Sequence, residues 1–387
     1  MKTDVLIIGS GHAGGMSAIQ LRSMNYDGSI TVIGEEKFLP YQRPPLSKSF
    51  LTKGLNEKRI YLKQKDYYKK NNIKLKLSTL VVSIDKNNKY VELNNREKIH
   101  YSKLIIATGS VINNLQNSEI NQNESDRLIY LRNIDDAIKL RTLMGQRKSI
   151  GIIGAGYIGL ETAASAASMN MKTYVIEYED RVMKRTVSEL LSKFMLSKHK
   201  KNAVNFYLKE SAKKINKNST AHSIVLSNSI NLEVDIVVAG IGIKPNISLA
   251  SNAGLIVDDG IVVDEHCLSS DKNIFAVGDC SNHFNRYYQR RLRLESVQNA
   301  VDQAKTVASY ITKKPNPYIK VPWFWSEQYN IKIQIAGVID GYDDYKINGS
   351  TELEKFSIAF YKNKNLIAIE AINSPKEFMR NKKLLEV

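Results

Sequence analysis

The chain has 387 residues, 43% hydrophobic and 25% charged, a composition typical of globular proteins and a length too great for one compact core. Lys and Arg outnumber Asp and Glu by 56 to 39; the formal charge of +17 would favour an acidic partner where it clusters, although runs such as KKNN and KNNK spread it along the chain. Two cysteines exclude a disulfide framework or a cysteine-rich metal site, six scattered histidines show no metal-ligand spacing, and no apolar run is long enough to span a membrane.

Residues 4–8 read as a short buried strand, and Gly9, Gly11 and Gly14 follow at G-x-G-x-x-G spacing before a helical stretch at 16–24. A second strand-like run, 29–33, ends at Gly34, Glu35 and Glu36. Strand, glycine turn, helix and acid in this order make a βαβ nucleotide unit. A pyrophosphate needs backbone N–H groups and a helix N-terminus close to it, which residues without Cβ permit, and a carboxylate accepts the ribose hydroxyls. Because the first strand begins almost at once, there is no room for a signal or transit peptide, and a cytoplasmic protein is expected.

In FLPYQRPPLSKSFL, residues 38–51, Pro40, Pro44 and Pro45 rule out a regular helix until about Leu46 and place Lys48 on the first turn of the helix that follows. Residues 73–77, 81–85 and 90–93 alternate like strands of a small antiparallel sheet, and LIIATG at 104–109 is a buried strand entering a glycine turn. The Asn-rich stretch 111–126 reads as a connection.

The nucleotide pattern then repeats, with a strand at 149–153, Gly154, Gly156 and Gly159 at the same spacing, a helix at 160–169 and a strand at 173–176 ending at Glu177. Two units in one chain imply two dinucleotides that meet, for which redox chemistry is the usual reason. Glu177 stands where an NAD-binding unit accepts the adenosine 2′-hydroxyl and repels a 2′-phosphate. Glu179 strengthens the repulsion and Arg181 and Lys184 soften it, so NADH is expected over NADPH.

Further on, 183–198 reads as a surface helix, 234–240 as a strand, and NIFAVGD at 273–279 as a strand ending in Gly278 and Asp279, an acid placed to accept a sugar or ribitol hydroxyl. A basic tract follows, Arg286, Arg290, Arg291 and Arg293, and then a helix with Val297, Ala300, Val301, Ala304, Ala308 and Ile311 as an apolar stripe. Its start near Glu295–Val297 would aim a positive dipole end at a group able to carry negative charge. After a break at 313–317, a segment holding both tryptophans and alternating strands up to about Ala371 suggests a small α+β domain.

YQRPPLSK, LIIATGS, GAGYIGLE, NIFAVGDC, RLESVQNA and PWFWSEQY together resemble the FAD-dependent NADH:ferredoxin reductases of oxygenase systems, the group of putidaredoxin reductase, rubredoxin reductase and the biphenyl dioxygenase reductase component. The resemblance covers nearly the whole chain. It implies an α/β fold with two Rossmann-like dinucleotide-binding domains, glutathione-reductase-like, plus a small C-terminal α+β domain. The expected division is an FAD domain from 1–112 and 245–318, an NAD domain from 113–244, and a C-terminal interface domain from 319–387. FAD would lie on Gly9, Gly11, Ala13 and Gly14, with Glu35 on the ribose, Lys48 near flavin N5, Arg132 as a contact, Asp279 on the ribitol and Val297 at the pyrimidine edge.

NADH would lie on Gly154, Gly156, Gly159 and Glu177. The resemblance also places Glu161 near the nicotinamide, pairing with Lys48 and helping to keep it charged, and Trp323 and Trp325 near the flavin edge where a partner docks. Lys48, Glu161 and Trp325 are the residues expected to serve the reaction. The partner would be an acidic [2Fe–2S] ferredoxin or a rubredoxin, received in part by the arginine tract, with no nucleic acid and no membrane involved, and the protein would be a monomer or homodimer. The alternatives are an NADH oxidase or a redox signalling protein like apoptosis-inducing factor. Disulfide or peroxide reduction is disfavoured because no cysteine precedes Cys267, and Cys280 reads as a small buried residue. The chain stops at Val387, where family members usually continue with a short segment, which leaves open how the flavin edge is covered and the oligomeric state.

Overall fold

A computed structural model describes residues 1–115, 127–217 and 221–386, so most of the Asn-rich connection lies outside the described residues. The α-helices used below are α1 (His12–Ser23), α2 (Ser49–Thr52), α3 (Lys65–Lys70), α4 (Ile134–Met144), α5 (Tyr157–Ser168), α6 (Glu189–Lys201), α7 (Ser248–Asn252), α8 (Val297–Ile311) and α9 (Pro375–Leu385). Among the described residues no helix is long and apolar enough to cross a membrane. The chain forms two compact units, one of Met1–Gln42, Lys58–Val111 and Lys244–Phe324, the other of Arg43–Glu57, Ile112–Ile243 and Trp325–Val387.

In the first unit, Ile73–Lys76, Ile30–Ile33, Lys2–Ile8, Lys98–Ile106 and Ile274–Ala276 pair in that order as parallel strands. Their apolar runs are buried on both faces, as helix-covered parallel sheets require. Alternation along Lys2–Ile8 divides the core. Val5 and Ile7 face Ala18 and Leu21 of α1 and Val307 and Ala308 of α8, whereas Leu6 and Ile8 join Val81, Val91 and Leu255 on the other side.

Val81–Asp85 and Tyr90–Leu93 are antiparallel as expected, but Ile73–Lys76 is the outer strand of the parallel sheet. It is reached through α3, and four residues carry no periodicity that tells parallel from antiparallel pairing. α8 begins at Val297, but Val301 and Ile311 are only partly buried while Gln298, Asn299 and Gln303 are buried. The buried face of α8 is therefore mixed, with Ala300, Ala304 and Ala308 of the expected stripe and Val307 beside these polar side chains.

In the second unit the parallel order is Val204–Leu208, Lys172–Glu177, Ser149–Ile153, Ile236–Ala239 and Leu128–Ile129. The same unit holds the C-terminal sheet, in which Ile331–Gly337, Asn365–Ile372, Lys355–Lys362 and Asp344–Ser350 pair antiparallel, with α9 packed on it.

Two local expectations are corrected here. Pro44 and Pro45 open a 3₁₀ turn, Pro44–Ser47, because proline suits a first helical turn, and Lys48 is the N-cap of α2. The helix expected from 183 starts at Glu189, because Met183 is in the left-handed region (φ 54°) and Ser188 caps the turn, its Oγ accepting from Leu191 N.

Gly14 and Gly159 let their helices press on the preceding loop. A Cβ there would lie 1.8 Å from Gly9 O and 2.0 Å from Gly154 O respectively. Gly159→Ala is expected to lower stability by about 3 kcal/mol or more, since backbone atoms must move. A thermal melt matching wild type would contradict this packing.

Candidate functional site

The two glycine loops are built alike. Ile8 pairs with Ile33 in the first and Ile153 with Ile176 in the second, and the next residue, Gly9 or Gly154, donates its N–H across to Ile33 O or Ile176 O. Both helices then start on glycine. Asn133, Ser188 and Ser296 cap the first turns of α4, α6 and α8 with a side-chain oxygen; α1 and α5, like the shorter α2, α3 and α7 and like α9, have no side-chain cap, and they alone of these start from glycine, Gly11 and Gly156. A Cβ at Gly156 would meet nothing within 4 Å, so packing within the protein does not require glycine there. A helix that starts on glycine without a side-chain cap at each loop, and the open space at Gly156, fit a dinucleotide pyrophosphate.

In the first unit the structure brings Ala13 against Gly278, where a Cβ would lie 2.9 Å from that of Ala13, and Asp279 follows, its carboxylate accepting from Ser110 Oγ at 2.8 Å. Gln303 Oε1 fixes this turn by accepting from Gly278 N at 2.7 Å and Ser281 Oγ at 2.9 Å. Sequence reasoning missed Ser110 and Gln303, whose types suggest no such role. Val297 is the first residue of α8 and is half-buried; the Ser296 cap occupies Asn299 N at 3.1 Å. Glu35 is exposed and stands one residue further on than Glu177 does in its unit: Gly34 fills the register position of Glu177, and a Cβ there would strike Ser10 Oγ at 1.9 Å.

In the second unit Glu177 accepts from Ala155 N at 2.5 Å and Glu179 N at 2.9 Å, which aims its carboxylate over the glycine loop. The two nearby cations are engaged. Arg181 donates to Val187 O and Lys184 O, each at 3.0 Å, and Lys184 Nζ lies 2.9 Å from Glu179 and 3.2 Å from Asp180. Their hydrogen-bond donors are thus directed within the segment rather than toward the glycine loop.

Lys48 and Glu161 form an ion pair at 2.7 Å, with side-chain exposures of 17% and 4%. Ser47 Oγ donates to the same carboxylate oxygen and Ser326 Oγ to the other at 2.6 Å, while Lys48 Nζ also donates to Pro44 O at 3.0 Å. Arg132 lies ahead of the α4 capping box, its N–H donating to Asp136, and Arg43 donates to its carbonyl, which ties it to the segment of Lys48. Trp323 and Trp325 are half-buried on one face of Trp323–Gln328, whose other face buries Ser326 and Gln328.

Three arginines of the basic tract have partners within their own unit. Arg286 pairs with Glu265 at 2.6 Å, Arg293 with Asp259 at 3.0 Å and Glu295 at 2.5 Å, and Arg291 donates to the carbonyls of Val263 and Asn282. These three are held within their own unit, so the tract is not a free basic patch. Cys267 and Cys280 are fully buried, and burial pushes both thiols up, away from the thiolate that a nucleophile needs.

A family model described as pyridine nucleotide-disulphide oxidoreductase matches residues 3–304, and one described as reductase C-terminal matches residues 323–387. The chain is 40% identical to rhodocoxin reductase of Rhodococcus erythropolis, over 99% of this chain and 89% of that one. It is 36% identical to rubredoxin-NAD(+) reductase of Pseudomonas putida, over 96% of each. Among solved structures, the covalent putidaredoxin reductase–putidaredoxin complex matches with a TM-score of 0.95 at 33% identity, covering 99% of this chain and 93% of that one.

Lys48→Met would leave the buried Glu161 carboxylate with hydroxyl donors alone, and stability is expected to fall by about 3 kcal/mol. Adding Glu161→Gln should restore most of it. A single variant that melts like wild type would show that the carboxylate does not need its cation.

Proposed function

Because the chain belongs to the pyridine nucleotide-disulphide oxidoreductase family, we propose from that premise that it is the flavoprotein reductase of an oxygenase system, taking hydride from NADH onto FAD and passing electrons singly to a [2Fe–2S] ferredoxin or rubredoxin. The observation that carries this reading is the pair of uncapped glycine-loop helices in one chain that has two buried cysteines and so needs another electron acceptor. Bound FAD would accept an electron pair and release it one electron at a time, which is the chemistry that amino-acid side chains lack.

The first unit is assigned to FAD. Gly9, Gly11, Ala13 and Gly14 offer backbone N–H groups and clearance to its pyrophosphate, Glu35 and Asp279 accept hydroxyls, and the start of α8 at Val297 places positive dipole where negative charge develops. Residues 113–244 are assigned to NADH, with Gly154, Gly156 and Gly159 at the pyrophosphate and Glu177 at the adenosine ribose. Glu177 is aimed by Ala155 N and Glu179 N, and Arg181 and Lys184 are occupied, which supports preference for NADH over NADPH.

Lys48 is assigned to the reacting end as a fixed cation, with Ser47, Glu161 and Ser326 holding it, and Arg132 as a further cofactor contact. Residues 319–387, with Trp325, are assigned to the carrier side. If the carrier is acidic, as the resemblance implies, turnover with it should weaken as salt rises.

Gly156→Ala tests the assignment of the second loop. Its methyl group meets open space and its φ of −75° suits alanine, so melting temperature and FAD content should match wild type. KM for NADH should rise at least about tenfold, because the methyl group stands where the pyrophosphate approaches. Unchanged NADH kinetics would contradict the assignment.

A further inference from the structure

We propose that Glu370, in the C-terminal sheet, is a positioning residue for the nicotinamide dinucleotide, and that its ionised carboxylate holds residues 178–188 against the second glycine loop. The inference rests on the reading of Gly154, Gly156 and Gly159 as the NADH loop. Glu370 is 1% exposed on Asn365–Ile372, and both its oxygens are used on one residue, Oε1 accepting from Ser188 N at 2.7 Å and Oε2 from Ser188 Oγ. Ser188 is the N-cap of α6, so the carboxylate also stands at the positive end of that helix.

From Ser188 the contacts run back to the loop without a gap. Arg181 donates to Val187 O and Lys184 O, and Ser192 Oγ donates to Val182 O at 2.7 Å. Met183 N donates to Ala155 O at 3.0 Å, and Ala155 N donates to Glu177. Val182, Met183 and Val187 are buried, so the segment is clamped at its middle by the glycine loop and at its end by Glu370.

A carboxylate accepts at both oxygens, whereas its acid form carries a proton on one, so protonation leaves the Ser188 donors without one of their anionic acceptors. Burial is the largest influence on Glu370 and pushes it up to about 7, opposed by the bonds from Ser188 and by the charge of Arg181. The groups around it are few. Tyr157 of α5 stays neutral, its hydroxyl pushed up by burial, and Ile335 and Ile358 lie opposite on the neighbouring strands. α9, also packed on this strand, exposes Lys376, Arg380 and Lys383, and its Lys382 pairs with Glu386.

The sign for stability is opposite to that for binding. A buried acid with a raised folded pKa contributes stability that is present below its ordinary value of 4.5 and lost as pH rises through about 7. Nucleotide binding, by contrast, favours the ionised form that holds the segment, so affinity falls as pH drops through the same range.

The test is calorimetric titration of the FAD-loaded protein with ADP-ribose, whose pyrophosphate stays ionised, between about pH 6 and about pH 8.5, for wild type and for Glu370→Gln, together with melting curves. Wild type should bind roughly fivefold more weakly at the acid end. Glu370→Gln should show that weaker binding at both ends, while melting no lower than wild type at the alkaline end; a purely structural role would not separate affinity from stability in this way. Ser188→Ala should weaken binding yet keep the pH dependence, since Ser188 N still meets Glu370. Wild-type affinity that does not change with pH, or a Glu370→Gln profile that follows wild type, would overturn the proposal. Binding of ADP-ribose at no pH would overturn the nucleotide assignment of the loop as well.

Discussion

One buried carboxylate holds the second unit together. Glu161, on α5 directly after the glycine loop, takes donors from Ser47 and Lys48, more than a hundred residues earlier, and from Ser326, 165 residues later. Removing such a charge from water costs several kcal/mol, roughly, unless every lone pair finds a partner. The segment of the two prolines and the start of the C-terminal sheet are therefore both needed where they are. Lys48 gains a fixed position from the same contact, and Arg43 and Arg132 tie the segment to α4.

The helices after the glycine loops are built differently, each starting on glycine with no side-chain cap. α4, α6 and α8 are closed by side-chain caps, while α1 and α5 start from Gly11 and Gly156 without one. Around each loop the polar groups are already aimed, Glu177 by Ala155 N and the Gly278 turn by Gln303. A hydride donor and acceptor react only within a narrow range of distance and angle, so this rigidity is what the chain adds to the chemistry of its cofactors.

The two glycine turns and the positions of Glu177 and Asp279 at strand ends were legible as local spacing, glycine at fixed intervals and an acid after a strand, whereas the Lys48–Glu161 pair, formed at 2.7 Å, was expected only from the family resemblance. Ser47, Ser326, Ser110, Gln303 and Glu370 were not, because each acts on a residue distant in sequence and its type suggests no partner. Ile73–Lys76 was assigned to the wrong kind of pairing because a four-residue strand does not record its neighbour's direction. The partners of the arginine tract were not legible for a related reason: Asp259 and Glu265 lie more than twenty residues before the arginines they pair with. The Ser188 cap, by contrast, was visible as a serine before Glu189, although the helix was read as starting at 183.

The central claim is that the chain moves electrons from NADH to a small iron–sulfur carrier. The most direct measurement is anaerobic stopped-flow reduction of the FAD-loaded protein by NADH and by NADPH, followed by cytochrome c reduction with and without added [2Fe–2S] ferredoxin. The account predicts rapid bleaching by NADH, slow bleaching by NADPH, and cytochrome c reduction that depends on ferredoxin. Slow bleaching by NADH, with cytochrome c reduction that none of several ferredoxins accelerates, would contradict it.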